Sequence, residues 1–262
     1  MAQRKWSVPR FTWVIALAIM SCSGVAHDAK RAAAHVLFIG NSLTYVNDLP
    51  SAFASLAPPG MNLKVDMIAR GGASLADYVD DAKVQDALAH GQYTDVILQE
   101  RGGDAFCGGA CRHDATALPA ERPAIRLADA ARAGGARVFY LGTWQTSKAT
   151  NEALELGERR IARASGATYI EIAEPRRALM LFHPTLAWTH SDGQHPGYAT
   201  TAMMASRAWA AVFAPSARVP CVAGPVHDHA PLPHGIYRVD ASVSPTTCLV
   251  PPEVVGDLVG GR

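Results

Sequence analysis

The segment His35-Val36-Leu37-Phe38-Ile39-Gly40-Asn41-Ser42-Leu43-Thr44 decides the fold. Residues 35–39 read as a strand covered on both faces, because a strand open to water on one side would alternate polar and apolar side chains. Gly40 then permits a tight bend, and Ser42 falls on the turn into a helix. Strand, turn and helix in that order begin a βαβ unit, which implies a parallel sheet.

Outward from this segment the alternation continues to about residue 214. Further strands are expected at 62–68, 95–99, 137–141 and 168–172, giving five in all. Helical patterns fill the gaps. Ser74 can cap a helix that carries Leu75, Tyr78, Val79 and Ala82 on one face. Another starts near Pro123 and stops at Gly134-Gly135, a third spans 152–164 before Gly166, and the last covers 198–213. Beyond Pro215 the texture changes to Pro, Val and His without a helical period. Residues 215–262 are therefore read as a Pro-rich C-terminal extension of loops and short extended segments, appended to an α/β domain at 27–214.

The N-terminus places Arg4, Lys5 and Arg10 before the apolar run from Phe11 to Met20, with the small residues Ser21, Ser23, Gly24 and Ala26 after it. This is the pattern of a secretory signal, residues 1–26, cleaved after Ala26. The run is too short to span a bilayer, which takes about 20 residues. Ile19-Met20-Ser21-Cys22 is also similar to a bacterial lipoprotein box, in which Cys22 would become a lipid anchor. The chain is thus expected to be exported, periplasmic or extracellular, without a membrane span. Of the five cysteines, removal of Cys22 leaves an even four, as an oxidising compartment favours. Cys107–Cys111 and Cys221–Cys248 are the expected pairs because each closes a local segment, although four cysteines allow three pairings.

The 262 residues are 49% hydrophobic and 18% charged, the composition of an ordinary globular protein with a real core. With 24 basic against 23 acidic side chains there is no basic stripe for nucleic acid and no acidic tail.

Reactive side chains matter where the strands end, since open parallel sheets bind ligands at their carboxyl edge. Ser42 sits there, with its own N–H at a helix N-terminus where developing negative charge is favoured. A second cluster, Ser191-Asp192-Gly193-Gln194-His195-Pro196-Gly197-Tyr198, precedes the last helix. A hydroxyl attacks only when a base takes its proton, and the base needs an acceptor on its other nitrogen. His195 and Asp192, three apart on one loop, can supply both. Read singly, Ser42 could merely cap a helix and Asp192 a turn.

Together Gly40-Asn41-Ser42 and Asp192-x-x-His195-Pro196 resemble the first and last blocks of the SGNH, or GDSL-like, hydrolase superfamily, over roughly residues 35–213. The resemblance implies a flavodoxin-like α/β/α sandwich with five parallel strands in the order 2-1-3-4-5. It also implies a Ser-His-Asp esterase mechanism with Ser42, His195 and Asp192 in those roles. The oxyanion donors it implies are Gly72, from Ala69-Arg70-Gly71-Gly72 after the second strand, and the amide of Gln99. The latter stands where the family usually has Asn, as in a variant subgroup with Leu-Gln-Glu at that block. Neither a metal nor an organic cofactor is implied. Glu100 could orient Arg101 or a substrate hydroxyl, or pair with Asp104 or Asp114 near His113 as a metal site, for which the ligand spacing is wrong. His227 and His229 lack an obvious third ligand. Trp144 and Gln145 follow the fourth strand, where an aromatic could stack on a sugar or cover core.

The expected function is a secreted serine esterase that removes small acyl groups from a small-molecule or carbohydrate ester. The alternatives are a glycan- or peptide-binding module on the same fold and an acyltransferase using the same residues.

Overall fold

Apolar runs without alternation become strands buried on both faces. The computed structural model describes residues 33–107, 118–213, 221–224, 235–239 and 247–260. In it β1 (Ala34–Gly40), β2 (Leu63–Ala69), β3 (Asp95–Gln99), β4 (Arg137–Leu141) and β5 (Thr168–Ile170) are parallel, in the order β5-β4-β3-β1-β2. The expected order 2-1-3-4-5 is therefore the observed one. Because the chain leaves β1 for one side and returns to β3 on the other, a crevice opens beyond the carboxyl ends of these strands.

Side chains of β1 divide between two cores, as a pleat requires. Val36 and Phe38 face a layer that contains Leu49 and Phe53 of α2 (Leu49–Ala54) and Met203 and Trp209 of α7 (Tyr198–Phe213). Leu37 and Ile39 face Val84 of α3 (Ala82–His90), Leu127 of α4 (Glu121–Ala133) and Ile161 of α5 (Lys148–Ala164). The short α1 (Ser42–Tyr45) follows β1, and α6 (Ala173–Phe182) follows β5. Phe53 is the hinge of the first layer, with ring centroids 5.4 Å from Phe38 and 5.2 Å from Trp209. Full burial of one such side chain stabilises by about 1.5–3 kcal/mol.

The structure departs from the sequence reading at several elements. The single helix expected from Ser74 is instead a 3-10 turn, Leu75–Tyr78, followed by α3; Asp81 accepts from Lys83 N and Val84 N and so starts a new helix. Strand β5 ends at Ile170 rather than 172, because Ile172 already precedes α6, a helix the periodicity did not reveal. The sheet has a sixth strand from the tail, β7 (Tyr237–Arg238), which pairs antiparallel with β2, whereas β6 (Ala223–Gly224) belongs to a separate two-stranded sheet. Nor does the tail lack helix, since α8 (Pro252–Gly260) buries Val254, Val255 and Leu258 in the first layer.

The expected Cys221–Cys248 disulfide is present and joins β6 to β8 (Thr247–Cys248), with Cα atoms 5.4 Å apart. A crosslink closing a loop of this length contributes about 3 kcal/mol. Cys107 is also disulfide-bonded. Its expected partner Cys111 lies outside the described residues, as do the signal segment 1–26 with Cys22, and His113, Asp114, His227 and His229. Among the described residues no helix is long and apolar enough to cross a membrane.

Candidate active site

Ser42 is the first residue of α1, delivered by a turn that three neighbours hold. Asn41 caps the helix, its side-chain oxygen accepting from Leu43 N at 3.0 Å, while its amide donates to Ala73 O at 2.9 Å. Tyr78 donates its hydroxyl to Gly40 O and accepts from Arg70 N, tying the turn to the loop after β2. Gly40 has no room for a side chain, since a Cβ there would lie 2.4 Å from Thr44 Oγ1 and 2.6 Å from Gln99 Oε1.

Gln99 ends β3 and is buried against this turn. Its Oε1 accepts from Asn41 N at 3.1 Å and from Thr44 Oγ1 at 2.8 Å, and its Nε2 donates to Glu100 O. The amide orientation is fixed, because Asn41 N–H can only donate. One of its two amide N–H bonds goes to Glu100 O, and the donation expected of Gln99 to an oxyanion is not among the hydrogen bonds it makes here. It braces the serine turn from behind and is not among the cleft-lining side chains.

Asp192 and His195 lie on a tight hairpin closed by a Thr189–Pro196 bridge and by His190 N donating to His195 O at 2.9 Å, with Gly193 at φ +75° making the bend. Asp192 Oδ2 meets His195 Nδ1 at 2.7 Å, and its Oδ1 accepts from Gln194 N at 2.8 Å and His195 N at 3.0 Å. These backbone donors first, and the imidazole after them, hold the Asp192 carboxyl far below the usual carboxylate range. It stays ionised through mild acidification, as the orienting member of such a pair must.

Ser42, His195 and Gly72 all line one open cleft of about 400 Å³, with Leu43, Arg101, Trp144 and Gln145 among its other walls. Gly72 adopts φ +68°, which favours glycine. Arg101 pairs with Asp104 at 2.8 Å and donates to Gly72 O at 3.3 Å.

Asn47, which sequence reasoning passed over, and Glu100, which it singled out, hold the parts together. Asn47, in the left-handed region at φ 59°, donates to Pro196 O at 2.8 Å, so the segment after Ser42 grips the hairpin bearing His195. Asn tolerates that conformation better than most residues, and Asn47-Asp48 before Leu49-Pro50 was the available signal. Glu100 is buried between the loops that follow β2 and β3. Its Oε1 accepts from Leu75 N and Arg101 N, linking the loops after β2 and β3, and burial pushes its carboxyl up to about 7. Among the described residues no His, Cys, Asp and Glu side chains converge as a metal site requires.

Glu158 anchors the remaining wall. Fully enclosed on α5, it accepts from Thr143 N and Thr143 Oγ1 at 2.8 Å each and from Tyr169 OH at 2.8 Å, fixing the end of β4 that leads to Trp144. Burial raises its carboxyl to about 7, so the fold holds a proton there that the unfolded chain releases near 4.5. That stabilisation is complete below pH 4.5 and is lost as pH rises toward 7. Glu158→Gln should match the parent below pH 4.5 and exceed it above pH 7 by on the order of 3 kcal/mol. Urea midpoints across that range test this, and parallel curves for the two proteins would contradict it.

No family model matches the chain, and no curated protein matches it. Solved structures do. An acetyl xylan esterase, AlAXEase, superposes with a TM-score of 0.53 at 15% identity, over 68% of this chain and 100% of that one. A protein from Parabacteroides merdae assigned as a GDSL-like lipase gives 0.51 at 13% identity, over 68% and 94%. Axe2, an acetylxylan esterase from Geobacillus stearothermophilus, gives 0.51 at 12% identity, over 69% and 95%. Its structures include catalytic mutants in which an aspartate, and a histidine three positions later, are each replaced by alanine. At such low identities the likeness establishes the fold: this chain has the fold of the SGNH, GDSL-like hydrolases.

Proposed function

We propose that the protein is an exported serine esterase that removes small acyl groups. Ser42 Oγ attacks the ester carbonyl, His195 takes its proton and passes it to the leaving alcohol, and Asp192 holds the imidazole and balances its charge. The N–H groups of Ser42 and Gly72 receive the oxyanion, while Gln99, Asn41 and Tyr78 keep the turn in place. Water then repeats the attack on the acyl-enzyme. No step calls for a metal or organic cofactor.

One observation carries this reading: an Asp192–His195 pair at 2.7 Å shares a cleft with a serine at the start of a helix. The three-residue spacing of the Axe2 catalytic mutants supports it. The esterase neighbours favour acetyl groups on carbohydrate, and Trp144 on the cleft wall offers a ring for a sugar face to stack on. For export, the support is the charged and apolar pattern of residues 1–26 and the Cys221–Cys248 disulfide. The mass of the processed chain will tell a free residue 27 from a lipidated Cys22.

The test is a panel of esters. Acetate should be released from p-nitrophenyl acetate and acetylated xylan faster than octanoate from p-nitrophenyl octanoate. Preference for octanoate would reject the small-acyl assignment.

A further inference from the structure

Arg176, on α6, is 7% exposed and has no carboxylate within salt-bridge distance among the described residues. Its Nε donates to Thr200 Oγ1 at 2.9 Å, and its Nη2 donates to Trp188 O at 3.1 Å and to Thr189 Oγ1 at 2.9 Å, all of them neutral oxygens. Burial lowers the guanidinium to about 10, so it remains charged at neutral pH. A buried, unpaired charge costs several kcal/mol, and a Met or Leu of similar volume would avoid that cost. Packing alone therefore does not account for an arginine here.

Its neighbours suggest what does. Thr189 closes the base of the hairpin that carries Asp192 and His195. Trp188 precedes it and is itself fixed, with its indole N–H donating to His183 O at 2.8 Å. Thr200, on α7, donates to the same Trp188 carbonyl. On its other side the guanidinium carbon lies 4.9 Å from the centroid of Trp144, the aromatic wall of the cleft. One rigid planar fork thus meets α7, the root of the acid-base hairpin and the substrate wall together. Lysine, a single nitrogen on a flexible stem, cannot reproduce that set.

We propose that Arg176 is a positioning residue that fixes the Asp192/His195 hairpin and the Trp144 wall in one mutual geometry. The inference rests on the esterase reading above. Misplacement of a catalytic group by about 1 Å costs up to 100-fold in rate. A residue that only supported folding would change the fraction of competent molecules, leaving the rate per competent site untouched.

The experiment uses the full-length protein, with p-nitrophenyl acetate as substrate and active sites counted by fluorophosphonate titration. Arg176→Lys and Arg176→Met are each expected to lower kcat per titrated site by roughly 10- to 100-fold. In Arg176→Ala, millimolar guanidinium ion should restore part of that loss. If Arg176→Met does not fold, Arg176→Lys decides. Parental kcat per site in a folded variant would overturn the proposal while leaving the esterase reading intact. A parent protein that neither labels nor turns over would instead overturn the esterase reading, and this inference with it.

Discussion

Alanine in place of His195 is expected to lower kcat on p-nitrophenyl acetate by on the order of 10⁴- to 10⁶-fold, the range found when the base of a serine triad is removed. The effect is large because the serine hydroxyl is a weak nucleophile until a base takes its proton. The fold should survive, since His195 lies on a partly exposed hairpin whose closure rests on backbone hydrogen bonds and the Thr189–Pro196 bridge. The pH profile adds an independent check. Asp192 is already ionised well below the range in question, so an acidic limb in the parental profile does not come from that carboxyl. That acidic limb should disappear from the residual activity of His195→Ala. A variant that retains both the rate and the limb would exclude His195 as the base.

Gly197→Ala is expected to destabilise the fold at the root of the hairpin. A Cβ at this position would lie 2.2 Å from Ala187 O, 2.7 Å from Ala187 C and 2.9 Å from Thr189 N, all backbone atoms that cannot rotate away. Gly197 N also donates to Trp188 O at 3.2 Å, so the two segments are already in direct contact. Overpacking of this kind costs about 1–3 kcal/mol, which in a domain of this size lowers Tm by several degrees. Because residues 187–189 lead into the hairpin, activity per folded molecule should fall as well. Thermal unfolding monitored by circular dichroism, with kinetics below the transition, measures both. A variant with unchanged Tm would show that the contact is not as tight as described.

Elements with strong local signals were legible in the sequence. The runs that form β1, β3 and β4 are mostly apolar without alternation, as doubly covered strands require, whereas β2 carries Lys64 and the buried Asp66. The helix expected at 198–213 is observed as α7 with the same bounds, its residues apolar around most of the cylinder. Ser42, Asp192 and His195 stand in short motifs whose spacing is itself the geometry. What escaped was set by distant contacts. Arg176 is buried because Thr189 and Thr200 come to it from elsewhere in the chain, and no local pattern marks that. Gln99 stands where the resemblance puts an oxyanion donor, and its partners Asn41 and Thr44, more than fifty residues earlier, tie its amide oxygen to the serine turn. The valines of α8 gave no clear period, and their burial depends on the face presented by α7.

The central claim, that Ser42 is an activated nucleophile, is tested most directly by treating the full-length protein and Ser42→Ala with a fluorophosphonate probe while following p-nitrophenyl acetate turnover. The account predicts stoichiometric labelling mapped to Ser42 in the parent, and loss of both labelling and turnover in the variant. Labelling at another residue, or undiminished turnover by Ser42→Ala, would contradict it.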